Sequence, residues 1–149
     1  MNEPDLKHLR RAIALSLSAR EKGNHPFGAL LADEDGSVLM EAENTIATDG
    51  DLTAHAEMNL VRMAGMKYSA EKLARSALYS SAEPCVMCAG AIYWARVGRV
   101  VYALSQQSLC EMTGSERMIL SCRDVMTGSE IIGPAIEEEA RIAHEKFWK

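Results

Sequence analysis

Residues 77–104 read ALYSSAEPCVMCAGAIYWARVGRVVYAL. Residues 77–81 are a short, largely apolar run of strand length. Pro84 suits a helix start, where its missing N–H would have no partner. Residues 85–96 then make a helix that is apolar on nearly every side, with Ala89, Gly90 and Ala91 as small members. Residues 99–104, RVVYAL, form a continuous apolar strand of the kind covered on both faces of a parallel sheet. Strand, helix and strand in that order make a parallel crossover, so the fold class is α/β.

Working outward, residues 29–32 and 38–40 are apolar runs flanking Asp33-Glu34-Asp35-Gly36, whose Asp-Gly pair suits a tight turn, so they predict a β-hairpin. Leu6, Leu9, Ile13 and Leu17 recur at helical spacing and predict an amphipathic helix over 5–22, ended by Gly23 and Asn24. A polar loop over 45–53 leads into a second helix over 54–66, with Met58, Val61 and Met63 among strong helix formers. Beyond Ser105 the pattern weakens. Residues 118–121 and 130–132 have strand character, and 134–148 predict a final helix carrying Ile136, Ala140, Ala143 and Phe147 in register. An antiparallel hairpin beside a parallel crossover gives a mixed sheet, and this element order predicts a three-layer α/β/α sandwich.

The chain has 149 residues, 48% hydrophobic and 25% charged, which is the balance of one ordinary water-soluble domain spanning 1–149. No apolar run approaches the roughly 18 residues that cross a bilayer, and MNEPDLKHLRR is too polar for a signal peptide, so a cytoplasmic protein without membrane partners is expected. Sixteen Lys and Arg against 21 Asp and Glu give a net charge of −5, the wrong sign for binding by phosphate neutralisation. Four cysteines are too few for a disulfide scaffold.

Chemistry concentrates at four residues. His55-x-Glu57 is followed by Pro84-Cys85-x-x-Cys88, the signature spacing of zinc deaminases. Cys85 and Cys88 share one helix face at the positive end of the helix, which favours thiolates, and His55 lies near the start of another helix. Three protein ligands are the count of a catalytic zinc, which keeps a fourth position for water, whereas structural zinc closes with four. Glu57, two residues from His55, is placed to carry protons. The competing readings are a thioredoxin-type redox pair and a structural knuckle closed by Cys110 or Cys122. Both of those cysteines read more simply as small core residues. His8 and His144 fall on helices among charged neighbours and read as solvated, while His25, before Pro26-Phe27-Gly28, is a candidate for the site lining.

From Leu6 to Leu104 the chain resembles the cytidine deaminase-like superfamily, in its branch of guanine, cytosine and tRNA adenosine deaminases. The resemblance rests on PFGALL from Pro26, Asn44, TAHAEMNLVR from Thr53 and SAEPCVMCAGAIYWARVGRVVYA from Ser81, with SAEPC and GAIYWAR nearest to bacterial guanine deaminases. It implies a hydrolytic deaminase with His55, Cys85 and Cys88 on zinc, Glu57 as proton shuttle and Asn44 bonding the polar edge of the substrate. It also implies a homodimer whose site is completed by the C-terminal segment or a neighbouring subunit.

Around that core, Phe27 is expected to stack on a flat base, and Ala56 joins the substrate-binding set from between His55 and Glu57. Trp94 is a candidate pocket wall or subunit contact. Glu116 falls where guanine deaminases carry an acidic residue that reads the base, and Trp148 is expected to lid the pocket. The final helix holds Glu137, Glu138, Glu139 and Glu145 against Arg141, Lys146 and Lys149, so no basic track is expected there. A small planar heterocycle such as guanine, cytosine, isocytosine or an amino-triazine is therefore favoured as partner over nucleic acid. The alternatives are a tRNA wobble adenosine deaminase and, from another class, a non-catalytic zinc-binding interaction module.

Overall fold

The computed structural model describes residues 1–115 and 121–148. Its elements run α1 (Glu3–Glu21), β1 (Gly28–Ala32), β2 (Val38–Glu43), α2 (Ile46–Asp49), α3 (Ala56–Lys67), α4 (Ala70–Ala74), β3 (Ala77–Ala82), α5 (Val86–Ala95), β4 (Arg99–Leu104), α6 (Gln106–Thr113), α7 (Cys122–Val125), β5 (Glu130–Ile132) and α8 (Glu137–Arg141), with a 3-10 turn over Ile142–His144. The five strands lie in the order β2-β1-β3-β4-β5. Pairings β1·β2 and β1·β3 are antiparallel, and β3·β4 and β4·β5 are parallel. The sheet is mixed, as the sequence pattern implies.

Alternation along the strands divides the core between two faces. Leu31, Leu78, Val100 and Tyr102 point toward Leu60, Ala89 and Ile92 of α3 and α5. Leu30, Tyr79, Val101 and Ala103 point toward Leu9 and Ile13 of α1 and Ala140 of α8. Helices thus cover both faces, giving the three-layer sandwich.

Helix α1 is started by Asn2 and Asp5, whose side chains and backbone N–H groups cap each other. It presses so close to β1 that a Cβ on Gly28 would stand 2.5 Å from the carbonyl oxygen of Ala12. Asp5 is buried and takes two bonds from Arg99 and one from Tyr79, tying the first turn of α1 to the near ends of β3 and β4. His8 is not solvated. It is buried against Tyr79, with ring centroids 4.8 Å apart and Nε2 at 2.9 Å from the Gly36 carbonyl oxygen.

The C-terminal third departs most from expectation. Helix α6, capped by Ser105 and closed by Gly114 in the left-handed region, fills a stretch where no element was expected. The expected strand over 118–121 lies outside the described residues except for Ser121, which caps α7. The predicted helix over 134–148 is only the five residues of α8 plus the 3-10 turn. Ile136 at φ 47° keeps Pro134 and Ala135 out of it, and Lys146 at φ 58° folds the tail back. Among the described residues, no helix is long and apolar enough to cross a membrane.

Candidate active site

In open α/β sheets, sites form beyond the C-terminal ends of the parallel strands. Here β3 runs out at Ala82 into Glu83-Pro84-Cys85, and Cys85 is the N-cap of α5. Across from it, His55 is the N-cap of α3. Two helix starts therefore face each other and bring an imidazole and two thiols to one point. His55 Nδ1 lies 3.6 Å from Cys85 Sγ and 3.4 Å from Cys88 Sγ. The three ligand atoms all fall within 4.8 Å of one another. One nitrogen and two sulfurs closing on a common centre fit zinc.

The electrostatics fit the same use. Cys85 is lowered to about 4, first by a hydrogen bond with Cys88 and then by His55, while Cys88 is raised by that bond to Cys85 and by burial. Glu57 is buried, and desolvation, with Cys85 adding to it, pushes its carboxyl up to about 7.

A cavity of about 270 Å³ opens against this group. His55, Glu57 and Cys85 form its floor, and Phe27 and Trp148 contribute aromatic walls. Five residues singled out in the sequence therefore meet around one space, with Cys88 buried behind them.

Other expected residues stand elsewhere. Trp94 does not line this cavity. It is 78% exposed, because six residues past Cys88 turn it about 240° around α5, away from the ligand face. Ala56 is wholly buried and contributes no cavity lining. Asn44 is buried as well: its Oδ1 accepts from the Ile46 N–H at 3.1 Å and its N–H donates to the Phe27 carbonyl, so it braces the loop next to the Phe27 wall. Glu116 lies outside the described residues, although its neighbour Ser115 lines the cavity. His25 sits behind the wall, packing edge-on against Phe147 and Trp148. Cys110 is a wall residue rather than core, whereas Cys122 is core as expected.

The unexpected wall is α6, through Gln106, Leu109, Cys110 and Thr113, together with Glu83. Glu83 is buried; its Oε2 accepts from the Gln106 N–H at 2.8 Å, and its Oε1 accepts from the Ser121 hydroxyl at 3.1 Å and the Cys122 N–H at 3.2 Å. One carboxylate thus fastens the ends of α6 and α7 to the loop bearing Cys85. The sequence signal was an acidic residue in an otherwise apolar turn, followed by the Ser105-x-x-Ser108 cap and Gly114. Glu83→Ala leaves these donors unpaired and should lower stability by about 1–3 kcal/mol, measured by urea unfolding.

Residues 2–104 match the cytidine and deoxycytidylate deaminase zinc-binding region. The chain belongs to this deaminase family. It is 38% identical over 156 residues to a probable cytosine deaminase of Schizosaccharomyces pombe, covering 99% of this chain and 94% of that protein. It is 41% identical to a guanine deaminase of Bacillus subtilis over 104 residues, covering 69% of this chain and 66% of that one. A solved structure from work on tRNA:A34 deaminases superposes with a TM-score of 0.72 at 28% identity, covering 93% of this chain and 99% of that one. The relatives of this deaminase thus differ in substrate. The matched zinc-binding region ends at Leu104, before α6 and the tail that carry much of the cavity wall.

Proposed function

We propose that this deaminase hydrolyses an amino group from a free nucleobase or related amino-heterocycle and releases ammonia. The observation that carries the reading is that Glu57, His55 and Cys85 share one small cavity, walled by Phe27, Leu109 and Trp148. Its apolar walls suit one flat heterocycle, and the net charge of −5 supplies no field to hold a polyanion.

Zinc bound at His55, Cys85 and Cys88 supplies the Lewis acidity that makes water nucleophilic at neutral pH. The chain's own residues do the rest. Phe27 and Trp148 hold the ring against the floor and exclude bulk water. Glu57 takes one proton from the attacking water and delivers it to the ring nitrogen, then takes the second proton from the hydroxyl now on the carbon and gives it to the departing amine, so that the C–N bond breaks, a carbonyl takes its place and ammonia leaves. Asn44 supports the Phe27 wall from behind, its side-chain oxygen accepting from the Ile46 N–H and its backbone N–H donating to the Phe27 carbonyl. The homodimer is part of the same reading.

Ammonia release over a panel of free bases, nucleosides and a tRNA anticodon stem-loop tests the substrate class. Turnover of at least one free base, insensitive to moderate salt, is the expected result. Turnover of the stem-loop alone, falling steeply with added salt, would assign the protein to RNA editing instead.

A further inference from the structure

Beyond the floor of the cavity, the tail holds a histidine with no role in the chemistry above. The Trp148 indole N–H donates to His144 Nδ1 at 2.9 Å, and the two rings lie stacked with centroids 6.0 Å apart and planes 20° from parallel. His144 is buried and does not itself line the cavity. Phe27, which does, stands edge-on to it at 5.2 Å.

The backbone around His144 is pinned on both sides. Arg20 of α1 donates to the carbonyl oxygens of Ala143 at 3.1 Å and Glu145 at 2.6 Å. After Lys146 turns the chain back, the Phe147 N–H returns to the His144 carbonyl at 3.1 Å. The acceptor is therefore fixed to the body of the protein, and the indole hangs from it.

From this we infer that His144 is a positioning residue, whose neutral ring accepts the Trp148 indole N–H and thereby sets the angle at which that ring closes the substrate cavity. The inference rests on the proposed reading of the cavity. Accepting at Nδ1 leaves the proton of a neutral imidazole on Nε2, and Nε2 is buried without a hydrogen-bond partner among the described residues. A phenylalanine would pack in the same place without burying an unpaired donor, so packing alone does not account for a histidine here. Burial, with the charge of Arg20 adding to it, lowers His144 to about 4, which keeps the ring in its accepting form at neutral pH.

The other contacts given for Trp148 are ring packing against His25, Phe27 and Phe147. Ring packing alone sets no single tilt, and a ring free to rotate would present its face to the substrate only part of the time. One directed N–H bond removes that freedom.

Two readouts test this. In the indole N–H spectrum, the Trp148 signal is identified by its loss in Trp148→Phe. It should exchange slowly with solvent in the wild type, rapidly in His144→Phe, and slowly again in His144→Asn, whose amide oxygen can stand near the Nδ1 position. On the best base from the panel, His144→Phe should raise KM about 5- to 10-fold with kcat changed less than about twofold, the size of one lost hydrogen bond. His144→Asn should recover most of it, and in a Trp148→Phe background His144→Phe should add nothing. Unchanged N–H exchange in His144→Phe overturns the inference, as does a KM effect that persists undiminished without Trp148. Should His144→Phe not fold, slow exchange in His144→Asn with rapid exchange in His144→Ala carries the same decision. The exchange measurement needs no substrate, so failure of the free-base reading does not touch it.

Discussion

Glu57→Gln should retain zinc and the fold while losing at least about 10²- to 10⁴-fold in kcat, the usual contribution of a positioned acid and base. Glutamine has the same shape, is at home in the first turn of α3, and keeps an oxygen and a donor at the cavity floor. What it loses is the ability to take up and release a proton, which the reaction requires twice. Glu57 is buried and lies two residues from His55, yet the ligand atoms that converge are those of His55, Cys85 and Cys88. Metal analysis beside steady-state kinetics checks both halves of the expectation. Activity near wild type would remove Glu57 from the mechanism. Loss of zinc together with activity would instead make its carboxylate a support of the metal centre.

What the sequence disclosed and what it hid divide along physical lines. Here the three donors stand at or just inside two helix starts, and imidazole and thiolate ligands at that spacing have few other uses. The spacing of His55, Cys85 and Cys88 is thus written in the chain itself. The β3-α5-β4 crossover is legible for a similar reason, since buried parallel strands demand unbroken apolar runs. Helix α6 is harder to read: its Ser105 cap and Gly114 stop are in the sequence, but it is only eight residues long and is held by Glu83 from 23 residues upstream of Gln106. Ile136 shows the opposite failure. Its apolar register with Ala140 and Ala143 was read as helix, but a β-branched residue in the left-handed region is imposed by its tertiary surroundings and has no local signal. For Trp94 the spacing itself held the answer, because six residues do not return to the same face of a helix. Charged neighbours in sequence suggest that His8 and His144 are solvated, but those neighbours are not the ones they meet in space, and both rings are buried. His8 is covered by Tyr79, and His144 by Phe27 and Trp148.

Arg99→Met should cost about 3 kcal/mol of stability, toward the lower end for breaking a buried pair, because Arg99 is still 26% exposed. The asymmetry of the pair makes the prediction sharper. Asp5 is 1% exposed and accepts from Arg99 Nη1 at 2.7 Å, Arg99 Nη2 at 2.8 Å and the Tyr79 hydroxyl at 2.7 Å. Removing Arg99 strands a buried carboxylate, whereas Asp5→Asn leaves a guanidinium that can turn to water or to Glu130 at 3.0 Å. Arg99→Met should therefore be the worse of the two single changes, and the double variant should recover part of its loss. The pH dependence follows from the same bonds. The Arg99 guanidinium, with Tyr79 and the Asn2 side adding to it, holds the Asp5 carboxyl well below its ordinary 3.8. A depressed carboxyl stabilises the folded state in full above its unfolded value, and that stability is lost as pH falls from about 4 toward the folded one. Without Arg99 the stranded carboxylate protonates more readily, so the gap between wild type and Arg99→Met should narrow below about pH 4. Urea unfolding of the four proteins across that range reads both effects, and equal losses for the two single variants would contradict the stranded-charge argument. Arg99 begins β4, at the opposite end of the strand from the cavity beyond Leu104. At a temperature where the variant stays folded, kcat and KM should accordingly match the wild type, which separates this anchor of α1 from the chemistry it supports.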